Sequence, residues 1–230
     1  FETAVHGNKA FWEILNGILY EKELSKFGVR ALFTVTPPPS ELGTTNKKVV
    51  SLDDIKGLKL RTGGGAQDLT VSLLGGIPTR VATPEIYEAM SRGIIDGGIL
   101  PLTSWKGYNW QEVVKYSTTN MGLGISAILY IMNDQKYQSL PENVRQAIDR
   151  ANVDTIAHVS AILDQQYKEL VEEFRSAGVD MYELDQDTLA KMKEILAPVW
   201  DEWVKNIKAL GYDDAEAILE EWKKALEKHR

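Results

Sequence analysis

The stretch Leu52–Pro101 alternates short apolar runs with helical patterns, and this alternation constrains the fold more than any other feature of the chain. Leu58 and Leu60 indicate a short strand that runs through Arg61 into a glycine turn. Strands that alternate with short helices form a parallel sheet, and such sheets bind ligands at the carboxyl ends of their strands. The pattern therefore predicts an α/β fold with Arg61 at a strand end. The other predicted elements are helices over Ala66–Leu74 and Pro84–Ser91 and strands over Ile77–Ala82 and Ile94–Ile99.

The rest of the chain adds mainly helices. Three consecutive prolines, Pro37–Pro39, end an apolar strand and mark a crossing between domains. Leu140, followed by Pro141 and Glu142, opens a helix that continues to about Ser176, long enough to reach two domains. We also expect helices over Lys9–Lys26, Trp110–Tyr116, Asp187–Leu210 and Asp213–Lys228, a strand over Val29–Val35 and a buried strand over Ile125–Met132.

Composition excludes several functional classes. The 230 residues are 43% hydrophobic and can bury one or two cores, and the longest apolar stretch, Gly122–Met132, is too short to span a membrane. A net charge of −7 argues against nucleic acid, which needs a basic surface. The absence of cysteine excludes thiolate metal sites, cysteine nucleophiles and disulfides. His6, His158 and His229 do not have the spacing of a metal motif, so we expect no catalytic residue, metal or cofactor.

Four motifs in a fixed order resemble the solute-binding proteins of tripartite ATP-independent periplasmic (TRAP) transporters. They are LDDIKGLKLR (Leu52–Arg61), PEIYEAM (Pro84–Met90), RGIIDG (Arg92–Gly97) and the pair YIMND and LPENVRQAI (Tyr130–Ile148). The resemblance covers nearly all of the chain. It implies a two-lobed periplasmic-binding-protein-like α/β fold with discontinuous domains, an inter-domain cleft and a long domain-spanning helix. It also implies that the N-terminal part of the family's first domain is absent from this chain.

The same resemblance divides the chain into domains. Domain I would comprise residues 1–36 and 127–167, with its N-terminal portion missing, and domain II residues 37–126 and 168–200. Residues 201–230 would form C-terminal helices that pack on the lobes.

A function follows from the resemblance. Such a protein would capture a small organic acid in the periplasm, or at the cell surface of a Gram-positive source, and deliver it to the membrane subunits of a TRAP transporter. It would catalyse no reaction, bind no nucleic acid, stay outside the membrane and could form a homodimer. Two alternatives are an enzyme that acts on a carboxylate on a similar two-lobed scaffold and a ligand-sensing binding protein.

Arg61 is the residue on which the predicted site depends. A guanidinium meets a carboxylate through two parallel hydrogen bonds, and the family uses the arginine at this motif position to hold the ligand carboxylate. The alternative is a surface arginine paired with Asp53, Asp54 or Asp68.

Glu41 is the second position that bears on the ligand. Sialic-acid-binding relatives carry another ligand-contacting arginine at the matching place, so a carboxylate here argues against sialic acid. Glu41 could accept hydrogen bonds from a hydroxyl or amine of the ligand, or it could be a solvated loop residue after the prolines.

The remaining candidate ligand-binding residues make the predicted pocket apolar. Leu100 stands where the family often has an asparagine, and Thr83 stands where it often has an aromatic residue. Trp105, Tyr108 and Gly122 complete the set, and the aromatic residues could instead be ordinary packing. An apolar pocket suits a monocarboxylate with a hydrocarbon or aromatic body, including 2-oxo and 2-hydroxy acids.

Overall fold

The computed structural model describes residues 3–124 and 126–230, and the chain folds into two compact units. Unit 1 comprises Phe1–Pro38, Ile125–Gln165 and Ile207–Arg230, and unit 2 comprises Pro39–Gly124 and Gln166–Asn206. Each unit is therefore assembled from separate segments of the chain. In this division residues 207–230 are part of unit 1.

Helices and strands alternate along the chain as in other α/β proteins. In chain order they are α1 (Ala4–Asn16), α2 (Ile18–Lys22), β1 (Val29–Val35), β2 (Glu41–Thr44), β3 (Lys59–Thr62), α3 (Ala66–Leu73), β4 (Ile77–Arg80), α4 (Ile86–Ser91), β5 (Gly97–Leu100), α5 (Leu102–Trp105), β6 (Tyr116–Thr118), β7 (Ile128–Asn133), α6 (Asp134–Gln138), α7 (Glu142–Ser176), β8 (Asp180–Tyr182), α8 (Gln186–Leu196), α9 (Pro198–Ala209) and α10 (Ala215–Lys228). The predicted α/β class is confirmed. The predicted long helix is also confirmed, because α7 runs for 35 residues and contributes to both units.

Unit 2 is built on a six-stranded sheet in the order β4-β3-β5-β2-β6-β8. β3 pairs in parallel with β4 and β5, as the alternating pattern predicts. β2 is antiparallel to both β5 and β6, which makes the sheet mixed rather than purely parallel. The sequence did not predict β2, because its four residues are too few to show a strand pattern.

The strand directions bring several chain ends to one edge of this sheet. The carboxyl ends of β3, β4, β5 and β6 lie at this edge, and the antiparallel β2 contributes its amino end. We call it the carboxyl edge. Arg61 and Leu100 lie there near the ends of β3 and β5, and Glu41 lies there because it pairs with Leu100.

Two hydrophobic cores cover the sheet of unit 2. Successive side chains of a strand point to opposite faces, and Met181 and Tyr182 of β8 accordingly join different cores. One core includes Leu42, Leu60 and Ile99 and extends to α3 and α8. The other includes Trp105, Trp110, Phe174 and residues of α4.

Three glycines in the central strands allow close packing against neighbouring strands and the core. A Cβ atom on Gly97 would lie 2.2 Å from the carbonyl oxygen of Gly43, and a Cβ atom on Gly43 would lie 2.9 Å from the Trp105 ring. A Cβ atom on Gly98 would lie 2.9 Å from the Cβ atom of Arg61. The carboxylate of Asp96 also accepts a hydrogen bond from the backbone N–H of Lys59 at 2.8 Å, which ties the start of β5 to β3.

Unit 1 contains a helix pair and a two-stranded sheet. α1 and α10 pack around Ala10, Ile14 and Ala225, with Phe11 and Trp222 in edge-to-face contact. β1 and β7 pair antiparallel. The predicted strand over Ile125–Met132 begins at a residue outside the described ranges, and the prediction that it is buried is wrong for β7. Its exposed large side chains are those of Ile128, Leu129, Tyr130 and Ile131, although the Tyr130 ring stacks on Phe33 of β1 with ring centroids 4.1 Å apart.

Two predicted helices also differ from the structure. Trp110–Glu112 is a single 3-10 turn and Tyr116–Thr118 is strand β6, because Tyr116 and Ser117 pair with β2. The single helix expected over Asp187–Leu210 is two helices, since Pro198 cannot continue the hydrogen bonding of α8 and opens α9. None of the described helices combines the length and apolar character needed to cross a membrane.

The close packing of β5 leads to a prediction about stability. Gly97→Ala should destabilise unit 2 by roughly 2 kcal/mol or more, because the new methyl group would overlap the Gly43 carbonyl oxygen and force the strands apart. Gly107→Ala is the matched control, since a Cβ atom there meets open space. Thermal unfolding of both variants would test this, and equal melting temperatures would contradict the proposed packing constraint.

Candidate carboxylate-binding site

Arg61 is held at the carboxyl edge by two hydrogen bonds to its own chain. Its Nε atom donates to the backbone carbonyl of Val81 at 3.0 Å, and its Nη2 atom donates to the hydroxyl of Thr83 at 2.9 Å. Both acceptors lie in the segment that follows β4, the strand next to β3. Only 6% of the Arg61 surface is exposed, so the guanidinium is held in a fixed place rather than free in solvent.

Among the described residues, Arg61 has no carboxylate within 4.0 Å. The three acidic residues considered from the sequence have other partners: Asp53 pairs with Lys56 at 2.7 Å, Asp54 with Lys47 at 3.4 Å and Asp68 with Arg80 at 2.6 Å. The alternative interpretation of Arg61 as a surface ion pair is therefore wrong.

The charge of Arg61 is uncompensated at this site. Burial lowers the pKa of Arg61, and the nearby phenol of Tyr108 raises it in part. An arginine nevertheless stays protonated in proteins, so the site holds a permanent positive charge. A buried charge without a partner is unfavourable, and an anionic ligand with a carboxylate would relieve that cost. The site is therefore suited to a protein that binds small organic anions.

Two features of this site were missed from the sequence. The Val81 carbonyl is an Arg61 acceptor that no side-chain pattern could reveal. Gly98 lies against Arg61 in the neighbouring strand, and a Cβ atom there would also lie 3.0 Å from the Trp110 ring. The consecutive glycines Gly97 and Gly98 were the available signal, because glycine inside a strand often marks a close approach.

The aromatic candidates have different environments. Trp105 is fully buried, stacks on Phe174 with ring centroids 5.5 Å apart and donates from Nε1 to the carbonyl of Leu100 at 3.3 Å. These contacts favour packing for Trp105. Tyr108 is 37% exposed and lies close enough to Arg61 to raise its pKa. Its side chain is therefore accessible to a ligand held by Arg61. Leu100 is half-buried.

Glu41 belongs to a second cluster on the carboxyl edge. It is 3% exposed, and its Oε2 atom accepts hydrogen bonds from the hydroxyl of Thr118 at 2.7 Å and the backbone N–H of Met121 at 3.1 Å. Glu41 is therefore not a solvated loop residue. Gly122, at a φ of 60°, also places its backbone N–H by the carboxylate.

Burial makes Glu41 an unusual acid. Desolvation raises its pKa to about 7, although the hydrogen bonds from Thr118 and Met121 favour the charged form. Tyr167 lies beside it and donates its own proton to the Thr119 carbonyl at 3.0 Å. Burial and the nearby Glu41 both raise the pKa of Tyr167. Glu41 is thus easier to protonate than an ordinary carboxyl group, and the carboxyl edge holds a fixed cation together with a buried acid.

The structure groups the candidate residues into two sets. Arg61, Thr83 and Tyr108 form one, and Glu41 and Gly122 form the other. Leu100 pairs with Glu41 across β2 and β5, whereas Trp105 lies in the core. Thr118 and Tyr167 were not predicted, because only the fold brings them to Glu41. Within the described residues, no cluster of three or more His, Cys, Asp or Glu side chains could hold a metal ion.

Comparison with known proteins identifies the family. The model of the DctP family, described as bacterial extracellular solute-binding protein, family 7, matches residues 1–206. The chain belongs to this family, whose members are solute-binding proteins rather than enzymes. The predicted TRAP relationship is confirmed.

Two curated relatives and one solved structure illustrate the similarity. The sialic acid-binding periplasmic protein SiaP of Vibrio cholerae is 30% identical over 81% of this chain and 57% of its own length. The C4-dicarboxylate-binding periplasmic protein DctP of Rhodobacter capsulatus is 27% identical over 72% of this chain and 50% of its own. The chain therefore spans about half the length of these relatives.

The solved structure is that of a marine metagenome TRAP solute-binding protein specific for aromatic acid ligands, in complex with metahydroxyphenylacetate. The match covers all of this chain and 72% of the chain in that structure, with a TM-score of 0.88 and 22% sequence identity. At that identity the match demonstrates a common fold.

The Glu41 environment predicts a pH dependence of stability. The folded state keeps the Glu41 proton up to about pH 7, whereas the unfolded chain releases it near 4.5, so the free energy of unfolding should fall as pH rises between these values. Between pH 5 and 8 the free energy of unfolding of the wild type should fall by up to about 3 kcal/mol relative to that of Glu41→Gln. Urea unfolding at several pH values would measure this difference.

Glu112→Gln removes an exposed carboxylate from the same unit and controls for the change in net charge. If the free energy of unfolding varied with pH in the same way in the wild type and in Glu41→Gln, Glu41 would ionise at its ordinary pKa despite its burial.

Proposed function

We propose that this chain is the ligand-binding part of an extracytoplasmic solute-binding protein that captures a small organic carboxylate with Arg61. The observation that carries the proposal is a buried guanidinium with two hydrogen bonds to its own chain and no carboxylate partner in the described residues. A carboxylate would supply the missing charge and accept two parallel hydrogen bonds. The side chain is already ordered, so binding costs little conformational entropy.

The carboxyl edge favours a monocarboxylate over a dianion. Leu100 is an apolar group there, and Glu41 would repel a second carboxylate when it is ionised. The solved relative that binds metahydroxyphenylacetate is an example of an aromatic monocarboxylate ligand on the same fold. The curated relatives named for sialic acid and C4-dicarboxylates indicate how far ligand choice can vary in this family.

We further propose how the protein acts in transport. The carrier would function in the periplasm, or at the cell surface of a Gram-positive source, and pass its ligand to TRAP membrane subunits. The ligand would favour the conformation that engages the transporter by its higher affinity for that state. A ligand-sensing role would use the same site and would differ only in the partner.

The role of Arg61 can be tested by substitution. Arg61→Met should weaken binding of the acid at least about 100-fold, because it removes a charge-assisted bidentate pair worth roughly 3 kcal/mol and keeps the length of the side chain. Arg61→Lys should restore little, since an ammonium lacks the planar fork. Calorimetric titration with an acid that raises the melting temperature of the wild type would give the affinities.

Arg80→Met is the matched control, because Arg80 lies on the neighbouring strand, is exposed and pairs with Asp68. Ligand-free Arg61→Met should be as stable as the wild type or more so, since it removes an unpaired buried charge. Unchanged affinity in Arg61→Met would refute the carboxylate assignment.

A panel of acids can test the ligand class. Monocarboxylates with a hydrocarbon or aromatic body should raise the melting temperature more than succinate, malate or sialic acid. A ligand at about 100 times its Kd should add roughly 2.7 kcal/mol to the free energy of unfolding. The full-length protein should be used for this measurement. The largest shift from a dicarboxylate or sialic acid would contradict the preference inferred from Leu100 and Glu41.

A further inference from the structure

Three of the four connections between the two units begin at one side-chain cluster of unit 2. The chain passes between the units after residues 38, 124, 165 and 206. Glu41 lies shortly after the first of these points, Met121 shortly before the second and Tyr167 shortly after the third. All three residues belong to the cluster around the Glu41 carboxyl group. This cluster therefore lies where the chain enters and leaves unit 2.

The first two connections are paired with each other inside unit 2. The backbone N–H of Ser40 donates to the Gly124 carbonyl at 2.9 Å, and the backbone N–H of Leu123 donates to the Ser40 carbonyl at 2.8 Å. The Glu41 side chain continues this pairing, because its Oε2 atom accepts the backbone N–H of Met121 at 3.1 Å. A carboxyl group thus replaces a backbone carbonyl as the acceptor for the N–H group of a buried residue.

The third connection is joined to the same segment through Tyr167. Its hydroxyl donates to the Thr119 carbonyl at 3.0 Å, and the phenol lies beside the Glu41 carboxyl group. The backbone N–H of Thr119 donates to the Tyr182 carbonyl of β8 at 2.9 Å. Residues 119–124, which we call the connecting segment, are therefore bound to β2, β8 and α7.

The hydrogen bonds of the cluster suit a protonated Glu41. The Thr118 hydroxyl accepts from the backbone N–H of Leu42 at 3.1 Å and donates to Oε2 of Glu41 at 2.7 Å. Because Oε2 already accepts two hydrogen bonds, a proton on Glu41 belongs on Oε1. The Tyr167 oxygen can accept a hydrogen bond from that proton, since the hydrogen of Tyr167 goes to Thr119. A protonated Glu41 therefore leaves each of these groups with a partner.

An ionised Glu41 is unfavourable at the same place. Glu41 is 3% exposed, and no cationic side chain of the described residues lies within 4.0 Å of it. The other ionisable groups around it are Tyr167, the exposed Glu183 after β8 and Arg61, which lies two strands away in the sheet. Glu183 disfavours a second negative charge, whereas Arg61 favours it. Water can reach a buried carboxylate only if the segment that covers it moves away.

We propose that Glu41 is a proton-dependent switch for the connecting segment. The protonated carboxyl group holds residues 119–124 against β2, and its ionisation favours an open state in which the segment leaves β2 and the carboxylate is hydrated. Burial raises the pKa of Glu41 to about 7 in the closed state, and hydration returns it towards its ordinary value of 4.5 in the open state. The closed state therefore has its full stability below pH 4.5 and loses it as the pH rises to about 7. The switch acts on the connections between the units and does not require the ligand contact of Arg61.

Amide hydrogen exchange, followed by NMR on the full-length protein, can test the switch. Protection factors of the Met121 and Leu123 amides, corrected for the intrinsic exchange rate, should fall at least about tenfold between pH 5 and pH 8. In Glu41→Gln they should change less than about twofold, because the amide oxygen can still accept the Met121 N–H and the side chain cannot ionise. Glu112→Gln, which removes an exposed carboxylate, should keep the wild-type profile.

The amides of β5 distinguish opening of the connecting segment from unfolding of the whole unit, because β5 lies in the middle of the sheet. Met121 and Leu123 should be less protected than the β5 amides at pH 8. Equal protection of the two sets at every pH would mean that residues 119–124 open only when unit 2 unfolds, and would overturn the switch. Wild-type protection that does not vary with pH, or a pH profile that Glu41→Gln shares, would also overturn it.

Discussion

The close approach of three backbone strands in unit 2 is the constraint on which the candidate site depends. β5 lies between β2 and β3, and a Cβ atom on Gly97 would meet the Gly43 carbonyl oxygen of β2 while one on Gly98 would meet Arg61 of β3. This packing brings β3 and its Arg61 against β5 on one side and β2 with Glu41 on the other. The strand directions then bring both residues to the same edge of the sheet.

That edge contains two ionisable groups, Arg61 and Glu41, whose pKa values burial shifts in opposite directions. Desolvation acts against the charged form of both, but the intrinsic pKa of arginine is so high that Arg61 stays a cation. Glu41 has an ordinary pKa much nearer neutrality, so the same effect brings it to about 7. Because its pKa is raised, Glu41 carries less than a full negative charge near neutral pH, so it offsets the Arg61 cation only in part, and the site can attract an anion.

The hydrogen bonds around Arg61 also illustrate how a binding protein can be prepared for its ligand. Val81 and Thr83 orient the guanidinium without neutralising it, because a carbonyl and a hydroxyl carry no formal charge. A carboxylate in their place would have stabilised the arginine and removed its affinity for an anion. Asp68, which is nearby in sequence, is instead held by Arg80.

By itself the sequence determined the α/β class, the strand that ends at Arg61, the long helix α7 and the family, because these depend on local periodicity, turn residues and motif spacing. Only the tertiary structure decided that Arg61 lacks a carboxylate partner, that Glu41 is buried with Thr118 and Tyr167, and that β7 is exposed. Tyr167 is 126 residues from Glu41 in the sequence (167 − 41), so no local pattern links them. Burial and long-range pairing depend on the whole fold, and these set the charge of the site.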